Sequence, residues 1–123
     1  MPYEYILANL LAENDKAVGV LFLDDSGETV DLACVELSPN EMRLLGAYVG
    51  IYLRQLQRFL ELDNFGDVRY LHIENHGLHI YALPLSDGYF IILAQRSPAI
   101  TGLAVRSLER AGIQLLRELF PAQ

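Results

Sequence analysis

The stretch that decides the fold is SPNEMRLLGAYVGIYLRQLQRFLEL, residues 38–62. Ser38 is a favoured helix N-cap, Pro39 suits the first position of a helix, and Glu41 completes a capping box with Ser38. The pattern predicts one long helix of about six turns, which begins at Pro39 and ends near Leu62.

Apolar residues cover more than one side of this predicted helix. A second apolar patch, formed by Leu44, Ala47 and Ile51, lies outside the main apolar arc and is interleaved with Arg54 and Arg58. A helix that covers only its own sheet would not need this second patch. We therefore expect a second chain to cover the surplus. The main arc consists of Met42, Leu45, Tyr48, Val49, Tyr52, Leu53, Leu56, Phe59 and Leu60.

Strand-type segments lie on both sides of the long helix. Residues 17–23, AVGVLFL, and residues 89–95, YFIILAQ, are rich in apolar residues without alternation, so both faces of these strands need cover. Short Gly-containing turns separate neighbouring segments and predict hairpins, which make the sheet antiparallel. The predicted strands are residues 17–23, 29–35, 68–74, 78–85 and 89–95.

Two further helices complete the predicted order α-β-β-α-β-β-β-α. Residues 2–13 have helical apolar spacing, and Ser97-Pro98 is read as the start of a last helix that ends near Phe120. Helices must then cover both sides of the sheet. The sequence therefore predicts an α+β fold, a three-layer α/β/α sandwich, in a single domain over residues 1–123.

Composition narrows the possible functions. The 123-residue chain has a net charge of −7 and a single lysine, Lys16, which disfavours binding to nucleic acids and anionic membranes. Cys34 is the only cysteine, so an intrachain disulfide is impossible. The N-terminal sequence MPYEYILANLLAEND lacks the basic region and cleavage site of a signal peptide, and we expect a cytoplasmic protein.

The element order and three segments resemble the roadblock/dynein light-chain family of the profilin-like fold group. The segments are VGVLFLDDSGETV (18–30), RYLHIE (69–74) and GLHIYAL (77–83). The resemblance runs from about Val18 to Leu119 and implies a non-catalytic protein with a five-stranded antiparallel sheet. Members of this family bind small Ras-like GTPases or serve as subunits of motor and signalling assemblies. Bacterial members of the gliding-motility type regulate a polarity GTPase.

The resemblance also implies a dimer, with an identical or a paralogous chain, in which the long helix and the third strand each pair with their copies. Gly46 and Gly50, spaced GxxxG, would let two helices approach closely. Close packing of the helix on its own sheet explains the same spacing equally well. The predicted dimer contacts are Leu45, Gly46, Val49, Gly50, Leu53, Leu56, Arg69, Tyr70 and His72.

Three arginines, Arg43, Arg54 and Arg58, share the polar side of the long helix. Arginine suits carboxylate pairing at interfaces, so these residues are candidates for binding a partner protein. The alternative is a solvated helix face, with the arginines bridging to Glu61 or to water.

Motifs for catalysis or cofactor binding are missing from the sequence. It has no P-loop pattern, and Cys34 is interpreted as a small hydrophobic residue rather than a nucleophile. The sequence therefore predicts no catalytic residue, no cofactor and no enzyme activity.

Three histidines cluster in the sequence as His72, His76 and His79. Strand alternation and a two-residue hairpin place His72, Glu74 and His79 on one sheet face, where they could bind a metal such as zinc or act in acid–base chemistry. The favoured interpretation is a polar strip packed under a helix or at a dimer seam, and no metal is assigned.

A small-ligand sensing module is the alternative to a protein-binding scaffold. Profilin-like sandwiches can hold small molecules between sheet and helix, and Tyr70, Tyr81 and Tyr89 are the candidate lining residues. Tyrosines in strands are more often core or interface residues.

Overall fold

The computed structural model describes residues 3–121. Its elements follow the predicted order, with one additional turn of 3₁₀-helix before the last strand. They are α1 (Glu4–Glu13), β1 (Ala17–Leu23), β2 (Thr29–Cys34), α2 (Pro39–Leu62), β3 (Leu71–Asn75), β4 (Leu78–Pro84), the 3₁₀ turn (Ser86–Gly88), β5 (Phe90–Arg96) and α3 (Thr101–Leu119). The predicted start of the first helix, at residue 2, lies outside the described residues.

The five strands form one antiparallel sheet in the order β2-β1-β5-β4-β3. β1 and β5 pair with each other in the interior of the sheet, with Leu21 opposite Ile92. Helix α2 connects the two edge strands, β2 and β3, and therefore crosses the sheet from one edge to the other. The predicted antiparallel sheet is confirmed.

Helices cover both faces of this sheet. On one face, α1 and α3 pack against alternate residues such as Phe22, Tyr81 and Leu93. On the other face, α2 packs against Leu21 and Ile92. Because both faces of β1 and β5 are buried, these strands are apolar almost throughout. The predicted three-layer sandwich is confirmed.

The start of α2 follows from its capping box. The Glu41 backbone N–H donates to Ser38 Oγ at 3.1 Å, and the Ser38 backbone N–H donates to Glu41 Oε1 at 2.9 Å. These two bonds satisfy donors that a helix N-terminus leaves without partners. The helix therefore begins at Pro39, as predicted, and ends at Leu62, as predicted.

Two predicted starts, those of β3 and α3, are wrong by about three residues, and the other strand boundaries agree to within one residue. β3 begins at Leu71 rather than Val68, because Arg69 would stand opposite Pro84, which has no N–H for a ladder bond. α3 begins at Thr101 with Ile100 at its N-cap, and Ser97 does not cap it. Ser97 instead continues the hydrogen bonding of the sheet just beyond β5, because its backbone N–H donates to the Gly77 carbonyl oxygen at 2.9 Å.

Candidate docking surface

The face of α2 that touches the sheet is marked by its glycines. A Cβ on Gly46 would collide with the Leu21 side chain, and a Cβ on Gly50 would lie 2.9 Å from Phe90 Cζ. Their absent side chains let the helix axis come close to β1 and β5. The GxxxG spacing therefore serves the packing of α2 on its own sheet, which was the alternative interpretation of this motif.

Four of the residues predicted as dimer contacts lie instead against the sheet of their own chain. Gly46 and Gly50 are buried against the sheet, and Val49 and Leu53 are each only 2% exposed. All four are buried within the chain, so they offer little surface to a second chain. Of the other predicted α2 contacts, Leu45 is half-buried against the same core, and Leu56 stays on the surface.

The opposite side of α2 is an exposed apolar stripe, which we call the outer stripe. Its members recur at intervals of three, four or seven residues, so they follow one side of the helix. Their exposed fractions lie between 52% and 78%. The outer stripe consists of Leu44, Tyr48, Ile51, Tyr52, Phe59 and Leu62.

The sequence therefore predicts correctly that α2 has more apolar surface than its own sheet covers. It places only some of the exposed residues on the correct side of the helix. Leu44 and Ile51 were expected outside the sheet-facing arc, and they lie outside it. Tyr48, Tyr52 and Phe59 were assigned to the sheet-facing arc and are exposed instead. The sequence signal for the buried side is the pair Gly46 and Gly50, which lie where the helix comes closest to the sheet.

The second exposed feature, besides the outer stripe, is the edge strand β3. β4 pairs with one edge of β3, and the other edge has no neighbouring strand within residues 3–121. Leu71 and Ile73 lie on the α2 side of the sheet and are only half-buried. Helix α2 packs mainly on β1 and β2, and therefore leaves the β3 end of this face open. Unpaired edges of this kind are templates for pairing with another chain.

Arg69 and Tyr70, two further predicted dimer contacts, precede β3 and turn toward α3. Arg69 forms an ion pair with Glu109 at 3.5 Å, and its guanidinium carbon lies 5.7 Å from the centre of the Tyr70 ring. Tyr70 packs against the core beneath α1 and α3. Both side chains therefore lie on the α3 side of the sheet and away from the outer stripe.

The three arginines of α2 form a row beside the outer stripe. Arg43 donates to Asn40 Oδ1 and Arg54 to the Asp24 carbonyl oxygen, both at 3.4 Å, and Arg58 is exposed on the same helix. None of them takes part in the ion pairs found within residues 3–121. The predicted alternative in which an arginine bridges to Glu61 is not seen in that part of the chain.

A second polar cluster lies on the other face of the sheet, where β3 and β4 meet. His72 stands opposite Tyr81 and Glu74 opposite His79, so the predicted placement of His72, Glu74 and His79 on one face is confirmed. The rings of His72 and His79 are joined by a hydrogen bond of 3.0 Å between Nε2 and Nδ1. His76 lies in the exposed turn and outside this cluster.

The tyrosines proposed to line a ligand pocket do not share one. Tyr81 is completely buried in the core, and its hydroxyl group lies 3.2 Å from Thr101 Oγ1. Tyr89 stacks on Phe22 with ring centroids 5.6 Å apart. Tyr70 borders a surface cleft of about 230 Å³ beside α3. The three side chains thus serve packing, and their separate positions within residues 3–121 do not favour the small-ligand interpretation.

None of the helices within residues 3–121 has both the length and the apolar character needed to cross a membrane.

The fold of this chain also occurs in other proteins of known structure. No protein-family model and no curated protein matches the chain. Among solved structures, the Roadblock/LC7 domain from Streptomyces avermitilis has a TM-score of 0.83 at 14% identity, with 94% of this chain and 95% of that chain covered. The chain has the roadblock fold. The gliding protein MglB from Thermus thermophilus gives 0.81 at 19% identity, with 94% and 89% covered.

Profilin is a more distant match to this roadblock fold. Profilin II from Acanthamoeba castellanii has a TM-score of 0.58 at 14% identity, with 93% of this chain and 96% of that chain covered. The predicted roadblock resemblance and the predicted profilin-like fold group are both confirmed for the fold. Function has to be argued from the surfaces that this chain presents.

Proposed function

We propose that this protein is a non-catalytic, cytoplasmic, dimerising scaffold that binds and regulates a small Ras-like GTPase, or serves as a subunit of a signalling or motility assembly. The observation that carries the proposal is the outer stripe of α2. Six large apolar side chains on one side of one helix form a contiguous patch of the kind that marks protein interaction sites.

A second copy of the chain is the first partner. The outer stripe lies on the α2 side of the molecule, and α2 leaves the β3 end of the same sheet face open. A second chain that pairs along the edge of β3 extends the sheet, and its own α2 then covers Leu71 and Ile73. Such a contact is self-complementary, as a two-fold dimer requires. A paralogous chain of the same fold would satisfy the same surfaces.

A small GTPase is the second partner. The row of Arg43, Arg54 and Arg58 adds a local basic flank to an otherwise acidic chain. Guanidinium groups beside apolar side chains are the composition that protein interfaces favour. The fold shared with the gliding protein MglB supports the same assignment, together with the family resemblance noted for the sequence.

Dimerisation can be tested with two matched substitutions. Ile51 on the outer stripe is 52% exposed and Ile113 on α3 is 54% exposed. Ile51→Glu places a charge in the proposed interface, whereas Ile113→Glu places the same charge on an unrelated helix. Sedimentation equilibrium should give a dimer mass for the wild-type chain and for Ile113→Glu, and a lower mass for Ile51→Glu. A wild-type chain that stays monomeric at high concentration would refute the proposed dimer.

GTPase binding needs a separate test. The chain is immobilised and presented with the small GTPases of its host in their GDP and GTP forms. We expect retention that depends on the nucleotide, and weaker retention by Arg58→Glu than by Arg117→Glu, an exposed arginine of α3. A chain that retains no GTPase in either form, or an Arg58→Glu variant that binds as well as Arg117→Glu, would contradict this part of the proposal.

A further inference from the structure

The cluster of His72, Glu74 and His79 lies apart from the proposed docking surface. His72 and Glu74 alternate on β3 and therefore point to the same face, and Glu74 stands opposite His79 on β4. This is the face that α3 covers, since the neighbouring Tyr81 side chain reaches Thr101 at the start of α3. The free edge of β3 and the outer stripe are not used by these side chains.

The three side chains bring their donor atoms close together. One ligand atom from each of them lies within 4.8 Å of the others. His72 Nε2 and His79 Nδ1 are 3.0 Å apart, so one proton lies on the line between two nitrogen lone pairs. Tetrahedral zinc with bonds of about 2.0–2.1 Å to histidine nitrogen holds its ligands about 3.4 Å apart. Replacing that proton by the ion needs the two nitrogens to separate by about 0.4 Å and both rings to turn, because a tetrahedral ion lies off the line between its ligands.

The ring of His79 is already oriented by a second contact. Its other nitrogen, Nε2, lies 3.0 Å from Ser97 Oγ, and the side chain is nearly buried, with the residue 8% exposed. A metal-binding histidine usually donates its other ring N–H to an oxygen acceptor, which fixes the tautomer and the direction of the free lone pair. Ser97 supplies that acceptor, so Nδ1 is the nitrogen left to bind a metal.

The ring of His72 is held by stacking. It lies 4.4 Å from the ring of the fully buried Tyr81 between centroids, with an interplanar angle of 14°. Glu74, in contrast, has a side chain that is 63% exposed, and its Oε2 lies 3.9 Å from His79 Nε2. Two imidazoles held by neighbouring side chains and one exposed carboxylate place the solvent side of the cluster at Glu74, where a water molecule and the ion can enter.

We propose that His72, Glu74 and His79 bind a zinc ion, with water as the fourth ligand. Two imidazole nitrogens and one carboxylate oxygen are a donor set typical of zinc and unsuited to calcium or magnesium, which prefer oxygen ligands. The bound ion would fasten the edge strand β3 to β4 across the hairpin at Asn75–Leu78.

The test uses the full chain after removal of metal with a chelator. Equilibrium dialysis against ZnCl₂ should give one bound zinc per chain. His72→Gln and Glu74→Gln should each weaken binding about tenfold or more, and Ser97→Ala about tenfold through the orientation of His79. His76→Gln, in the same turn, and Cys34→Ser are the matched controls and should bind zinc as the wild-type chain does.

A second readout separates metal ligation from a structural effect. Co²⁺ in place of zinc should give the visible absorption of a tetrahedral site with nitrogen and oxygen ligands, and His72→Gln should lose it while its circular dichroism stays unchanged. The proposal is overturned if the wild-type chain binds no zinc, if His72→Gln binds as tightly as the wild-type chain, or if His76→Gln loses as much affinity as His72→Gln.

Discussion

The two sides of α2 have similar apolar content and opposite roles. The inner side carries Gly46, Gly50 and Val49 and is buried against β1 and β5. The outer side carries larger residues, such as Tyr48 and Tyr52, which remain more than half exposed. The two glycines allow the helix to approach the sheet closely, and the large outer residues offer area to the proposed partner. On this helix, the glycines mark the side that faces the core, although that side also buries the larger Met42 and Leu53.

The largest expected effect comes from placing a charge on the inner side. Val49→Glu forces an unpaired carboxylate into a dry layer and should cost about 4 kcal/mol or more of unfolding free energy. Ile51→Glu makes a comparable apolar-to-charged change two residues away on the outer side, where the carboxylate can be solvated. Urea denaturation at protein concentrations that dissociate the proposed dimer should show a large loss of unfolding free energy for Val49→Glu and a small one for Ile51→Glu. Equal losses would mean that the two sides of α2 are not distinct.

Glycine substitutions sharpen the comparison at smaller cost. A methyl group at Gly50 would press on the Phe90 ring, whereas one at Gly102 in α3 meets no atom within 4 Å. Gly50→Ala should therefore destabilise the chain by about 1–3 kcal/mol through overpacking. Gly102→Ala should be neutral or stabilising by up to about 1 kcal/mol, because alanine is the better helix former. Thermal denaturation monitored by circular dichroism distinguishes the two, and stabilisation by Gly50→Ala would disprove the close contact.

Local sequence signals were enough to predict most of the fold. Ser38, Pro39 and Glu41 predicted the start of α2, since a capping box depends on residues within one turn. The apolar run 17–23 predicted β1 with its observed bounds. Each of these features depends on residues that are close together in the sequence. The element order, on which the predicted roadblock resemblance rests, depends on the same kind of local signal.

The errors concern contacts between distant segments. β3 starts late because of Pro84, which faces it from β4, and α3 starts late because Ser97 is engaged with Gly77 and His79. The sheet-facing side of α2 was misassigned because the depth of packing at Gly46 depends on Leu21 in β1. The donor geometry at His72 and His79 likewise needed the real hairpin register, although alternation had placed both on one face.

A substitution in the capping box perturbs α2 without changing any residue on its inner or outer side. Ser38→Ala removes the acceptor for the Glu41 N–H and should cost about 1 kcal/mol of unfolding free energy. Ser38→Asp keeps an acceptor at the N-cap and should restore most of the loss. Denaturant titration measures both, and the mass in solution should stay that of the wild-type chain. A cap variant that lowers the mass in solution at unchanged stability would show that the helix end belongs to the proposed interface.

The smallest expected effect concerns an ion pair that lies away from both sides of α2. Glu36, after β2, accepts hydrogen bonds from Arg96 at the end of β5, with Arg96 Nε 2.8 Å from Glu36 Oε1. This hydrogen bond and the charge of Arg96 hold the pKa of the Glu36 carboxyl below its ordinary value. Because the pKa of Glu36 is lower in the folded chain than in the unfolded chain, the pair stabilises the fold at pH values above the unfolded-state pKa of Glu36. This contribution is lost as the pH falls through the folded-state pKa of Glu36.

Glu36→Gln should therefore lower Tm slightly near neutral pH, and the difference from the wild-type chain should vanish in acid. The shift should be smaller than that of Ser38→Ala, because exposed ion pairs are screened by solvent. A Tm difference that persists or grows on acidification would show that Glu36 acts through something other than its charge.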